Sequence, residues 1–158
     1  MSTHALSVLL ADPDPSTCAP LRRRLEAAGY EVTVASTASE VIGFCSWAPP
    51  DVLVIDVNLP DMNGFDVCTL ARHDADETDL TVILTGEPHD ELTRAYFEPM
   101  AAFAGSDYCV SKPFDTTAIV NIVEEIAAGA SSRPSFRATF PTHVRWPSGR
   151  RPLAAAVR

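Results

Sequence analysis

Asp12, Asp56, Thr85 and Lys112 each stand at the end of a short apolar, β-rich run or just past one. Two carboxylates form a candidate site for a hard, oxygen-seeking divalent cation. An ammonium adds a compact point charge that can approach a phosphoryl oxygen. Lys112 is the single lysine of a chain with eleven arginines, so the default cation is replaced at this one position. Singly, each residue has an ordinary role: a strand-end Asp caps a helix or turn, Thr suits any strand, and a lysine suits any surface. The stretch "LLADPDP", residues 9–15, poses a sharper question, because Pro13 separates its two acids, Asp12 and Asp14.

The elements that must position these groups follow from hydrophobic period. Ser7–Ala11, Glu31–Ala35, Val52–Asp56, 81–85 and Tyr108–Ser111 read as strands. Between them lie "STCAPLRRRLEAAG", "ASEVIGFCSWA", "GFDVCTLARH" and "HDELTRAYFEPMAAFAG", and "DTTAIVNIVEEIAA" follows the last strand; each can present an apolar stripe of helical period. Strict βα alternation implies a parallel sheet covered on both faces, and "VLVID" and "TVILT" are apolar on both sides, as central strands require. In such sheets the site lies outside the carboxyl ends of the strands. Two acids, a hydroxyl and an ammonium would therefore converge on one rim.

Composition bounds the rest. The chain has 158 residues, 46% of them hydrophobic, enough for one domain with a buried core. Residues 1–129 hold six basic and 21 acidic side chains, net −15, whereas the last 29 residues carry +6. That acidic body disfavours nucleic acid. The terminal stretch is rich in Pro and Arg and lacks a sustained apolar period, so a flexible basic tail is expected. Cys18, Cys45, Cys68 and Cys109 are dispersed, which suggests buried reduced thiols rather than a zinc cluster or a disulfide framework. His4, His73, His89 and His143 form no ligand motif. The apolar stretch 5–11 is too short for a membrane span and does not suit a signal peptide, so a cytoplasmic protein is expected.

"DVNLPDMNG" at 56–64, "SKPF" at 111–114, the acids after the first strand and "ILTG" around Thr85 together resemble bacterial two-component response-regulator receiver domains of the stand-alone, single-domain type. The resemblance covers residues 5–128 and leaves 129–158 as the tail. It implies an α/β, flavodoxin-like fold: a doubly wound five-stranded parallel sheet of order 2-1-3-4-5 with helices on both faces. It also implies that Asp56 accepts a phosphoryl group from a sensor histidine kinase or histidine phosphotransfer protein, with Mg²⁺ as cofactor. Asp12, Asp56 and the backbone carbonyl of Asn58 would hold the ion. Lys112 would balance phosphoryl charge, and Thr85 would donate its hydroxyl as the switch. Pro60 and Gly64 would shape the loop, glycine by a conformation other residues resist, and the Lys112-Pro113 bond would be cis.

Several positions depart from that pattern. Receivers usually have adjacent acids after the first strand, and Pro13 takes the place of the second, which commonly binds the metal. Asp14 then either ligates the ion or caps the first helix, and weakened Mg²⁺ binding is expected. Cys109 stands where receivers often carry an aromatic, and Tyr108 points the other way and is expected to pack on the surface. Pro99 should kink or break the helix within 87–104, and Pro20 suggests a first helix beginning near Thr17. No DNA-binding module is expected after 128, so output would come by contact with a downstream protein partner, with a homodimer as one possible assembly. Two other readings remain open. One is a receiver-like interaction module that is never phosphorylated because Pro13 interrupts the acids. The other is a phosphatase resembling the haloacid dehalogenases, through Asp12-x-Asp14, Thr85 and Lys112. That chemistry needs a further acid at a strand end, whereas Asp115, Glu124 and Glu125 fall in a predicted helix.

Overall fold

The computed structural model describes residues 5–74, 79–129 and 143–145. Strands and helices alternate as β1 (Ser7–Ala11), α1 (Pro15–Ala27), β2 (Glu31–Ala35), α2 (Ala38–Trp47), β3 (Val52–Asp56), α3 (Gly64–Asp74), β4 (Thr81–Gly86), α4 (Glu91–Ala104), β5 (Tyr108–Ser111) and α5 (Thr116–Ala127). These five strands are parallel and lie in the expected flavodoxin-like order, β2-β1-β3-β4-β5. A sixth strand, β6 (His143–Arg145), pairs antiparallel with β5, so the sheet has one strand more than expected. It arises within the stretch expected to be a basic tail, the rest of which lies outside the described residues.

Alternation along the strands builds two cores. Val8, Leu10, Val52, Val54, Ile83, Tyr108 and Val110 face one way and pack with Leu21 and Leu25 of α1 and with Ile119 and Val123 of α5. Leu9, Leu53, Ile55, Val82, Leu84 and Cys109 face the other way, against α2, α3 and α4. Each fully buried Leu or Ile contributes about 1.5–3 kcal/mol of transfer free energy, so the two sandwiches hold the strand ends rigidly. Continuing the alternation past the strands carries Asp12, Asp56, Thr85 and Lys112 onto the first of these faces.

Three local expectations are corrected. Helix α1 begins at Pro15 rather than near Thr17, because Asp14 caps it and Pro15 occupies the first turn, where a missing N–H costs nothing. Pro20 and Pro99 both sit inside unbroken helices. Each is exposed, as are Ser16 and Ala95 four residues earlier, so carbonyls deprived of helical partners face water. Tyr108 is not at the surface; it is 3% exposed within the α1/α5 core.

Candidate functional site

The strand register sets the four expected groups side by side. Asp56 lies opposite Thr85, and Ala11 lies opposite Ile55, which brings Asp12 one residue beyond, beside Asp56. The Asp12 amide is fixed by the Ala35 carbonyl at 3.2 Å, and the Lys112 amide by the Gly86 carbonyl at 2.7 Å. The Lys112-Pro113 bond is cis, as expected. Lys112 Nζ reaches Asp12 Oδ2 at 2.5 Å and Asp56 Oδ2 at 3.3 Å. Asp12, Asp56 and Thr85 are buried at 8%, 5% and 2% exposure, an unusual density of polar groups for a core edge.

Burial pushes the Asp56 carboxyl above its ordinary value, and neighbouring Asp12 adds to the shift; Lys112 opposes it without prevailing. For Lys112 burial acts downward, but its hydrogen bond to Asp12 and the charges of Asp56 and Asp12 hold its pKa above the usual lysine value. One carboxylate oxygen, Asp56 Oδ1, is buried without a hydrogen-bond partner. Leaving a buried acceptor unsatisfied costs about 1–3 kcal/mol, so that atom is poised to take an external partner. The Thr85 hydroxyl is held only loosely, 3.5 Å from the Ile55 carbonyl.

Asp14 takes the capping alternative: its Oδ1 accepts from the Ser16 amide at 2.9 Å and the Ser16 hydroxyl at 2.7 Å. Its own amide donates to Asp12 Oδ1 at 2.8 Å. Pro13 therefore leaves Asp14 supporting Asp12 through its backbone.

The loop after β3 is folded back on itself. Asn58 bridges Asn63, and the Gly64 amide donates to the Val57 carbonyl at 2.9 Å. Gly64 is needed here for space, not for left-handed backbone as expected: it is absent from the positive-φ glycines, but a Cβ on it would strike the Asp56 carbonyl oxygen and lie 2.7 Å from Val57 Cα. Asp61 at the loop tip reaches across to α2, accepting from the amides of Ala38 (2.7 Å) and Ser39 (3.0 Å) and from the Ser39 hydroxyl (2.7 Å). Sequence reasoning gave Asp61 no role; its partners lie 22 and 23 residues away, and no local pattern signals them.

A family model described as the response regulator receiver domain matches residues 8–124. This chain belongs to the response regulator receiver family. Among curated relatives it is 31% identical over 129 residues to the DNA-binding transcriptional regulator NtrC of Rhizobium meliloti, covering 82% of this chain but 25% of that protein. It is 33% identical over 107 residues to the transcriptional regulatory protein KdpE of Mycobacterium tuberculosis, covering 68% of this chain and 44% of that one. The chain thus spans a quarter to a half of the length of these relatives. A putative response regulator from Chloroflexus aurantiacus superposes with a TM-score of 0.68 at 26% identity, covering 79% of this chain and 99% of that structure.

Receivers are signalling domains that interact with histidine kinases or phosphotransfer proteins. The haloacid dehalogenase reading fails on this fold as well as on the family: Asp115 caps α5, and Glu124 and Glu125 are exposed on it, so none stands at a strand end beside Lys112. Receivers also bind Mg²⁺, and the donors present here suit it. All are oxygens, one buried oxygen lacks a partner, and Mg²⁺ typically takes one or two carboxylates while keeping several waters. Among the described residues no group of three or more His, Cys, Asp or Glu gathers to hold a metal.

Departures on the other face of the sheet also have a structural counterpart. Cys109 points into the core beneath α4, in the cluster that holds Phe97, Ala101 and Ala104. Phe97 of α4 packs there against the position of Gly86, where a Cβ would come within 2.7 Å of its ring, and it meets Phe65 edge to face at 6.1 Å. No helix among the described residues is long and apolar enough to cross a membrane.

Proposed function

We propose that this receiver accepts a phosphoryl group on Asp56 from the phosphohistidine of a sensor histidine kinase or a histidine phosphotransfer protein, and that the resulting acyl phosphate switches a protein-interaction face. The observation that carries this reading is the unbonded, buried Asp56 Oδ1 beside the Lys112 ammonium. In the transfer an Asp56 oxygen forms the new bond to phosphorus as the bond from phosphorus to histidine nitrogen breaks, leaving the imidazole to recover a proton. Lys112 neutralises phosphoryl charge, and Thr85 turns its loosely held hydroxyl toward a phosphoryl oxygen. Asp12, Asp56 and the Asn58 carbonyl are the groups that would hold Mg²⁺, which when bound supplies the charge neutralisation two approaching anions require. The protein turns over no separate substrate; water later hydrolyses the acyl phosphate.

Output then passes through contact with a protein partner. In this reading the switch lies beside α4 and β5, and α4 leaves Leu92, Tyr96, Met100 and Phe103 exposed. Four thiols outside disulfides, three of them buried, suit the cytoplasm, where such kinases deliver phosphoryl groups. Residues 5–128 form the signalling unit in this reading, and 129–158 an appended basic segment.

Incubation with acetyl phosphate and Mg²⁺, followed by phosphate-affinity electrophoresis of wild type and Asp56→Asn, tests the proposal. Label that depends on Asp56 and Mg²⁺ and is lost in alkali is the expected result. Label surviving in Asp56→Asn would rule out this acceptor, and its absence from wild type would favour an unphosphorylated interaction module.

A further inference from the structure

Helix α2 begins with three amides that have no partner within the helix, those of Ala38, Ser39 and Glu40. Thr37 takes only the last, through a reciprocal cap with Glu40. The first two are taken by Asp61, which belongs to the loop after β3 and lies outside α2 altogether. A helix N-terminus favours an anion, and here the anion is the tip of the very loop that leaves Asp56. The strength of this seat is visible in Asp61 itself: its hydroxyl bond from Ser39 and its two amide bonds hold the carboxyl down to about 2.

The loop's other end bears on the site. Asn58, two residues past Asp56, is bridged to Asn63, and the Gly64 backbone lies so close to the Asp56 carbonyl oxygen that a Cβ would strike it. Asp61 thus fastens from outside a segment whose inside touches the acceptor. We propose that Asp61 is a positioning residue for the acceptor site: by seating its carboxylate on the N-terminus of α2, it holds residues 58–63 in the conformation that keeps the Asn58 backbone beside Asp56. The role in cation binding rests on the function proposed above; the role in loop order does not.

The test compares Asp61→Ala, Asp61→Asn, Ser39→Ala and Asp56→Asn with wild type by titration calorimetry with Mg²⁺ and by amide hydrogen exchange over residues 57–64, with circular dichroism to verify folding. Asp61→Ala should weaken Mg²⁺ binding about tenfold, the usual effect of removing a group that orients a ligand, and speed exchange in the loop. Asp61→Asn keeps one oxygen acceptor and should recover part of the loss. Ser39→Ala removes one bond of three and should fall between wild type and Asp61→Ala. Wild-type Mg²⁺ affinity in Asp61→Ala, with binding lost in Asp56→Asn, would overturn the inference. If wild type binds no Mg²⁺, the function proposed above fails and exchange alone decides: faster exchange in Asp61→Ala supports the positioning role, and unchanged exchange overturns it.

Discussion

Lys112 is bound more closely to Asp12 than to Asp56: its Nζ lies 2.5 Å from the first carboxylate and 3.3 Å from the second. Asp12 thereby competes for the cation on which Asp56 depends, and one ammonium serves two carboxylates. Removing it leaves both with no counter-charge at a core edge. Lys112→Ala should lower unfolding free energy by about 2 kcal/mol, less than a fully buried pair because the ammonium is partly solvated. Urea denaturation at neutral pH measures this. Lys112→Arg should not restore phosphoryl acceptance, since a planar fork cannot occupy the place of a point charge. A stable, fully active Lys112→Arg protein would show that charge alone matters here.

A pH dependence follows from the proposed acceptor, Asp56. The Asp56 pKa is raised in the folded state, first by burial, so the native protein keeps this proton at pH values where the unfolded chain has released it. The native state binds more protons, and stability falls as pH rises from the ordinary carboxylate value through the raised one; above it the loss is complete. Asp56→Asn removes the ionisation, so it should raise the melting temperature at neutral pH, and the advantage should shrink toward about pH 4, the ordinary carboxylate value. Thermal melts of both proteins from about pH 4 to about pH 8 decide the matter. An advantage that grows on acidification would mean the carboxylate is stabilised by folding.

Gly64→Ala should damage structure and function together. The added methyl strikes the Asp56 carbonyl oxygen and crowds Val57 Cα, and backbone cannot yield as a flexible side chain can. A cost of about 1–3 kcal/mol is expected from this overpacking, with slower labelling of Asp56 by acetyl phosphate. Gly43→Ala, where a Cβ would meet nothing within 4 Å and φ is likewise not positive, is the control for a general effect of losing glycine. Equal labelling rates in Gly64→Ala and wild type would show that the loop adjusts freely.

How the chain encodes this site explains what could be read in advance. The sheet order was legible only through the resemblance of "DVNLPDMNG" and "SKPF" to receivers, whereas the meeting of Asp12, Asp56, Thr85 and Lys112 followed from their places at strand ends, where period-two alternation carries all four onto the face of core positions such as Leu10, Val54, Ile83 and Val110. The start of α1 was misjudged because Pro20 looked like a boundary, whereas its exposed position lets water satisfy the stranded carbonyl. Tyr108 looked like a surface residue because the sequence does not show that α1 and α5 cover that side of β5. Gly64 was recognised as special for the wrong reason, since crowding by Asp56 and Val57 depends on the loop folding back on itself, which leaves no mark in local composition. Asp61 was missed altogether because its bond to the N-terminus of α2, 23 residues away, is a tertiary fact.

Pro13 offers the most direct experiment on the cation. Asp14 spends Oδ1 on its cap, and both oxygens of Asp12 already accept a hydrogen bond, one from the Asp14 amide and one from Lys112. Two carboxylates thus face one ammonium, where a receiver with adjacent acids has a third. Pro13→Asp restores that third charge on an exposed position that needs no core rearrangement. Mg²⁺ affinity should rise about tenfold, or roughly 1.4 kcal/mol, on titration calorimetry. Pro13→Asn, which supplies an oxygen without the charge, should gain less, so the pair separates electrostatics from coordination. Asp14→Ala should disturb α1 while leaving Mg²⁺ affinity near wild type. If instead Asp14→Ala abolishes binding and Pro13→Asp changes nothing, Asp14 leaves its cap to ligate the ion, and the interrupted acids already work as a pair.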